Sequence, residues 1–117
     1  KLIHALKLMT MPLTVTSMAE KAAIAALNSA EELLARVEET KVQRERVAEA
    51  IGARPSKGNF VWISRSDAEE VERKLSDEGV IIRRYLDEGV RVSITTEEET
   101  NIFLAAWERA GIRPFGE

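Results

Sequence analysis

Apolar and polar residues alternate most cleanly between Gly79 and Thr96, in the stretch GVIIRRYLDEGVRVSITT. Side chains of a strand point to opposite faces in turn, so a period of two marks a strand with two different environments. The pattern predicts one strand over Val80, Ile81, Ile82 and Arg83, and a second over Val90, Arg91, Val92, Ser93 and Ile94. Arg84 to Gly89 between them suits a hairpin loop. Val90, Val92 and Ile94 then share one face and Arg91 and Ser93 the other, while Val80 and Ile82 oppose Ile81 and Arg83. A further strand is predicted over Asn59-Phe60-Val61-Trp62-Ile63, with Phe60 and Trp62 on one face and Val61 and Ile63 on the other.

The remaining pattern is helical. Leu2, Ile3, Leu6 and Met9 recur at helical spacing before Thr10, Pro12, Thr14 and Thr16 interrupt them. Four stretches have the form of a capping box: Ser17 to Glu20, Ser29 to Glu32, Ser66 to Glu69 and Thr96 to Glu99. In such a box a hydroxyl accepts from a backbone N–H and an acidic side chain three residues on reaches back. Each should open a helix. The first is alanine-rich and runs from Met18 to about Asn28. The second runs to about Ile51, with Leu33, Val37, Thr40, Arg44, Val47 and Ile51 along one stripe. The third turns Val71 and Leu75 inward, and the fourth carries Ile102, Phe103, Ala106, Trp107 and Ala110. Gly52, Gly79 and Gly111 supply left-handed stops. Ile112 to Glu117 reads as a polar tail.

The second of these helices would be roughly 33 Å long at 1.5 Å per residue, enough to join two domains. Three strands with helices on one face give an α+β fold, a small three-stranded sheet covered by helices. The last two strands should be antiparallel. The strand–helix–strand step should form a right-handed crossover if those strands are parallel in one sheet.

Composition narrows the function classes. The 117 residues suffice for one domain with a modest core, and 44% hydrophobic with 32% charged residues is the profile of a globular chain. A net charge of −3 argues against nucleic acid as a partner, which calls for basic clustering. There are no cysteines, so neither a disulfide nor a thiolate metal site is available, and the cytoplasm is the default compartment. One histidine, His4, cannot build a histidine-rich metal site or a Ser-His triad unaided. No apolar run approaches the length of a membrane span, so no membrane partner is expected. The opening KLIHALKLMTMPL resembles a signal peptide only superficially, since His4, Lys7, Thr10 and Pro12 break it. With its exposed apolar side it reads as a piece of something longer.

The candidate chemistry is anionic recognition. Arg83 and Arg91 each stand among β-branched residues on predicted strands. A guanidinium keeps its charge and offers a planar fork of donors that fits a carboxylate or phosphate. The ordinary alternative is two arginines on a solvated face, each beside an Asp or Glu. Asn59, at a strand start, is a turn residue or a further polar contact.

Three segments resemble the C-terminal small-domain portion of histidinol-phosphate aminotransferases and their aromatic amino acid aminotransferase relatives. They are Pro55-Ser56-Lys57-Gly58-Asn59-Phe60-Val61-Trp62, Gly79-Val80-Ile81-Ile82-Arg83, and Gly89-Val90-Arg91-Val92-Ser93-Ile94 with Thr96 to Asn101, Phe103 and Leu104. Pro12 to Ala26 and Gln43-Arg44-Glu45-Arg46 match in order and spacing. The resemblance implies a fold-type I, pyridoxal 5′-phosphate-dependent transaminase of amino-acid biosynthesis, similar to the histidinol-phosphate aminotransferase of histidine biosynthesis. It implies that Arg91 binds the anionic end of an amino acid or amino phosphate substrate, with Arg83 assisting and Asn59 as a possible contact. It implies a homodimer at full length, and residues 1–28 as the end of a large domain, 29–51 as the connecting helix and 52–117 as the small domain. The Schiff-base lysine would precede residue 1, so no residue here is expected to be catalytic and this chain alone is expected to be inactive. The competing reading is a free-standing α+β module that binds a small anion or a protein.

Overall fold

The computed structural model describes residues 2–9, 14–54 and 56–114. Its elements in order are α1 (Leu2–Met9), α2 (Ser17–Asn28), α3 (Ala30–Ile51), β1 (Phe60–Ile63), α4 (Ala68–Asp77), β2 (Arg83–Tyr85), β3 (Gly89–Ser93) and α5 (Glu97–Arg109). The chain divides into two compact units, Lys1–Leu34 and Ala35–Glu117.

In the first unit, α1 carries the predicted apolar side, and Leu2, Ile3 and Met9 are exposed. Thr10 and Pro12, part of the predicted break, lie outside the described residues, as does Pro55 of the loop before β1. The start of α2 falls one residue earlier than its capping box predicts. Thr16 is the N-cap, and its hydroxyl accepts from the Ala19 N–H at 3.2 Å. The Ser29 hydroxyl donates backward to the Ala25 carbonyl at 3.1 Å. That bond satisfies a C-terminal carbonyl of α2.

The second unit holds the sheet. Strand order is β1-β3-β2, with β3 antiparallel to both neighbours. The antiparallel β2/β3 pair is as predicted. β1 and β2 therefore run the same way but do not touch, and the α4 connection between them passes over β3. The alternation places Val61, Ile63, Val90 and Val92 on one face, all buried. They join Val47, Ala48 and Ile51 of α3, Val71 and Leu75 of α4, and Phe103, Ala106 and Trp107 of α5 in one core. All helices of this unit cover that face, as an α+β layer requires. Only the last turns of α3 contribute, for Leu33 and Val37 of its predicted stripe are exposed.

β2 begins three residues later than the sequence pattern predicts. Gly79, at φ 79°, ends α4, and the Val80 N–H donates to the Leu75 carbonyl at 2.8 Å while the Gly79 N–H donates to Ser76 at 2.9 Å. That bond pair is a Schellman cap, which claims the backbone of Val80 before it can join a ladder. Arg84 and Tyr85, predicted in the loop, are strand instead, and the turn shrinks to Leu86, Asp87 and Glu88. The same cap recurs at Gly111, with Ile112 N–H reaching Trp107 O. Ile112 is thereby drawn into the core, so the predicted polar tail opens on a buried residue. The Thr96 box forms, its hydroxyl accepting from Glu99 N–H at 3.3 Å. The Ser66 box does not: Asp67 is the N-cap and makes no side-chain cap bond, because Arg65 holds its carboxylate at 2.7 and 2.8 Å.

Candidate functional site

The second face of the sheet carries the predicted arginines. Register pairs Trp62 with Arg91 across β1 and β3, and Arg83 with Arg91 across β2 and β3. Phe60, Trp62, Arg83, Tyr85 and Arg91 therefore share one face by alternation. No helix of this unit covers it. Arg91 is half-buried and Arg83 exposed.

The two guanidinium groups sit on rings. Arg91 Cζ lies 5.6 Å from the Phe60 ring centre, and Arg83 Cζ lies 5.4 Å from that of Tyr85. Both distances fall within cation–π range. Trp62 and Tyr85 meet edge to face with centroids 5.4 Å apart. Gly89 makes room for this arrangement. A Cβ there would overlap the Ile63 carbonyl and come within 2.8 Å of Trp62 Cζ2, so only glycine lets the indole lie against β3.

Electrostatically the face is unsettled. Like charges directly opposite each other on a ladder repel. Among the described residues, neither Arg83 nor Arg91 has a carboxylate partner. Arg91 Nε is buried with no hydrogen-bond partner, a state that costs about 1–3 kcal/mol. The ordinary alternative of paired surface arginines is realised one residue away. Arg84, on the helix-covered side, donates to Glu72 at 2.9 Å, with Glu69 at 3.9 Å. Two cations on an aromatic floor can grip a carboxylate or phosphate, and an anion there would relieve both the repulsion and the orphaned N–H.

Asn59 does not join the arginines. It is exposed, and its carbonyl accepts from the Ile94 N–H at 2.7 Å, extending the β1/β3 ladder. His4 is exposed on α1. The aromatic companions and Gly89 were not singled out by sequence reasoning. The available signal was the shared parity of Phe60 and Trp62, which needed the β1/β3 register to connect them to Arg91.

Pyridoxal phosphate, the cofactor that the resemblance implies, is held covalently by a lysine. A Schiff-base lysine must present an uncharged amine, which takes desolvation or a cationic neighbour. Lys7, Lys21, Lys41 and Lys57 are exposed, and Lys74 is bonded to Glu70 at 3.0 Å on the outside of α4. None fits covalent attachment of the cofactor. An apolar cleft of about 370 Å³ opens between residues 79–82 and 92–95, but neither arginine lines it. Both arginines thus stand on the open face and not in that cleft.

The family profile for aminotransferase class I and II matches residues 1–106. An aromatic amino acid aminotransferase of Corynebacterium efficiens is 45% identical over 108 residues, covering 92% of this chain and 31% of that protein. One from Mycobacterium tuberculosis is 37% identical, covering 87% of this chain and 31% of its own length. A crystal structure of a candidate aminotransferase from Burkholderia pseudomallei superposes with a TM-score of 0.73 at 31% identity, over 93% of this chain and 37% of that one. The chain thus spans about a third of the length of the curated relatives it matches. A match across nearly all of it leaves little support for a free-standing module.

Proposed function

The chain belongs to the aminotransferase class I and II family, and from that premise we propose that it is the C-terminal part of a pyridoxal-phosphate-dependent transaminase. In this reading residues 1–28 end the large domain, 29–51 form the connecting helix and 52–117 the small domain. The full-length protein is a cytoplasmic homodimer, and its cofactor and lysine are carried by residues outside this chain.

The observation that supports the reading is the pair of guanidinium groups, Arg83 opposite Arg91, with no carboxylate on either among the described residues. Arg91 holds the anionic end of the substrate and Arg83 assists. Fixing that end limits the freedom of the amino end, where the proton transfers of transamination occur, and orientation of this kind lowers the barrier. The substrate is an aromatic amino acid in preference to histidinol phosphate. Relatives named for aromatic substrates support this, as does the Trp62–Tyr85 pair beside the arginines.

The test is to purify the full-length protein with pyridoxal phosphate and compare phenylalanine, tyrosine and histidinol phosphate as amino donors. The expected result is turnover of the aromatic donors with kcat/KM on the order of tenfold or more above histidinol phosphate. The reverse order would overturn the substrate assignment, and no transamination at all would overturn the function.

A further inference from the structure

We infer that Phe60 is the positioning residue for Arg91, and that Gly58 and Arg44 hold Phe60 in place. The inference rests on the reading of Arg91 as the anion-binding residue. A flexible arginine half-buried on an open sheet needs something to fix its head group, since its long side chain otherwise samples many rotamers. Here no carboxylate and no hydrogen bond does so among the described residues. The Phe60 ring, 5.6 Å from Arg91 Cζ, is the partner present.

That ring is itself constrained. A Cβ on Gly58 would lie 2.7 Å from Phe60 Cε1 and 3.0 Å from Cδ1, so the ring occupies the space above a residue that has no side chain. The Gly58 carbonyl accepts from Arg44 Nη1 at 3.3 Å, and Arg44 is only 14% exposed at its side chain. The Gly58 N–H donates to Ser56 Oγ at 3.2 Å. A continuous line of contacts thus runs from Arg44 of α3 through Gly58 and Phe60 to the Arg91 guanidinium. The ring does not hydrogen-bond the substrate. It presets the direction of the fork, so its loss should weaken anion binding with the bound-state chemistry intact.

The experiment uses the full-length protein loaded with its cofactor. Calorimetry gives the Kd of phenylpropionate, an aromatic carboxylate that cannot react, and steady-state kinetics gives KM and kcat. The variants are Phe60→Leu, Phe60→Tyr, Gly58→Ala, Arg91→Ala and the double variant Phe60→Leu/Arg91→Ala, each with a thermal melt. Phe60→Leu should raise Kd and KM about 3- to 30-fold, the range of a cation–π contact, with kcat within about twofold. Phe60→Tyr, which keeps the ring, should restore both. Gly58→Ala pushes the ring aside without touching Arg91 and should reproduce the Phe60→Leu signature, which decides the matter if Phe60→Leu fails to fold. In the Arg91→Ala background Phe60→Leu should add nothing. An equal factor in both backgrounds, or unchanged binding in a folded Phe60→Leu or Gly58→Ala variant, overturns the inference while leaving Arg91 as the anion site. If Arg91→Ala itself binds phenylpropionate normally, the anion-site reading falls, and this inference with it.

Discussion

The two faces of one three-stranded sheet are built from neighbouring residues and have opposite characters. On the covered face Val61, Ile63 and Val90 are at most 1% exposed and pack under three helices. On the open face, one residue along each strand, stand Phe60, Trp62, Arg83, Tyr85 and Arg91. Even the arginines follow the division. Arg84 is ion-paired to α4, whereas Arg83 and Arg91 have rings and, among the described residues, no carboxylates. Core packing and the cationic, aromatic surface are therefore separated by a single step along the strand, and substitutions on the two faces should separate in the same way.

Ile63→Ala tests the covered face and should have the largest effect on folding. It empties a site only 1% exposed, at a cost of about 2–5 kcal/mol. Urea denaturation of the full-length protein should show the loss, with kcat/KM of the folded fraction little changed. Gly89→Ala joins the two faces, because its Cβ overlaps the Ile63 carbonyl and crowds Trp62. It should cost about 1–3 kcal/mol of stability and also raise KM. A variant that changes only one of the two would show the faces to be less coupled at β3 than the packing indicates.

Arg83→Ala has an unusual expected sign. It removes a like charge opposite Arg91, so stability should stay level or rise by up to about 1 kcal/mol while kcat/KM falls. A loss of stability would reveal a structural role for Arg83. The smallest effect lies just beyond the end of β1. The hydrogen bond from Arg65, more than its charge, holds the Asp67 carboxyl below the usual carboxylate range. A depressed folded value means that the pair stabilises above the unfolded value of about 3.9 and loses that contribution as pH falls through the lower folded one. The pair is partly exposed, so Asp67→Asn should cost less than about 1 kcal/mol at neutral pH and flatten the acid limb of the stability curve.

Much of this division is legible in the sequence. Period-two alternation assigns Val90 and Val92 to one face and Arg91 to the other, and glycine stops mark the ends of α3, α4 and α5. What escapes is whatever depends on backbone bonds that sequence spacing cannot resolve. Val80 and Ile81 have strand chemistry, yet the Schellman cap on α4 claims the Val80 N–H. Ser66 opens a predicted capping box, yet the N-cap of α4 falls on Asp67, whose carboxylate is held by Arg65. The aromatic floor escapes for a different reason. Phe60 and Arg91 are about 30 residues apart, and only the β1/β3 register brings them together.

The most direct test of the open face as an anion-binding surface is Arg91→Ala in the full-length enzyme, followed by steady-state kinetics and a thermal melt. Removing the fork should lower kcat/KM by about 2–5 kcal/mol, and Arg91→Lys should fall between the variant and wild type, because it keeps the charge and loses the planar geometry. The melt should stay close to wild type, since the side chain leaves no apolar cavity behind. Near-wild-type kcat/KM, or a loss that merely tracks unfolding, would contradict the account and make Arg91 a structural residue.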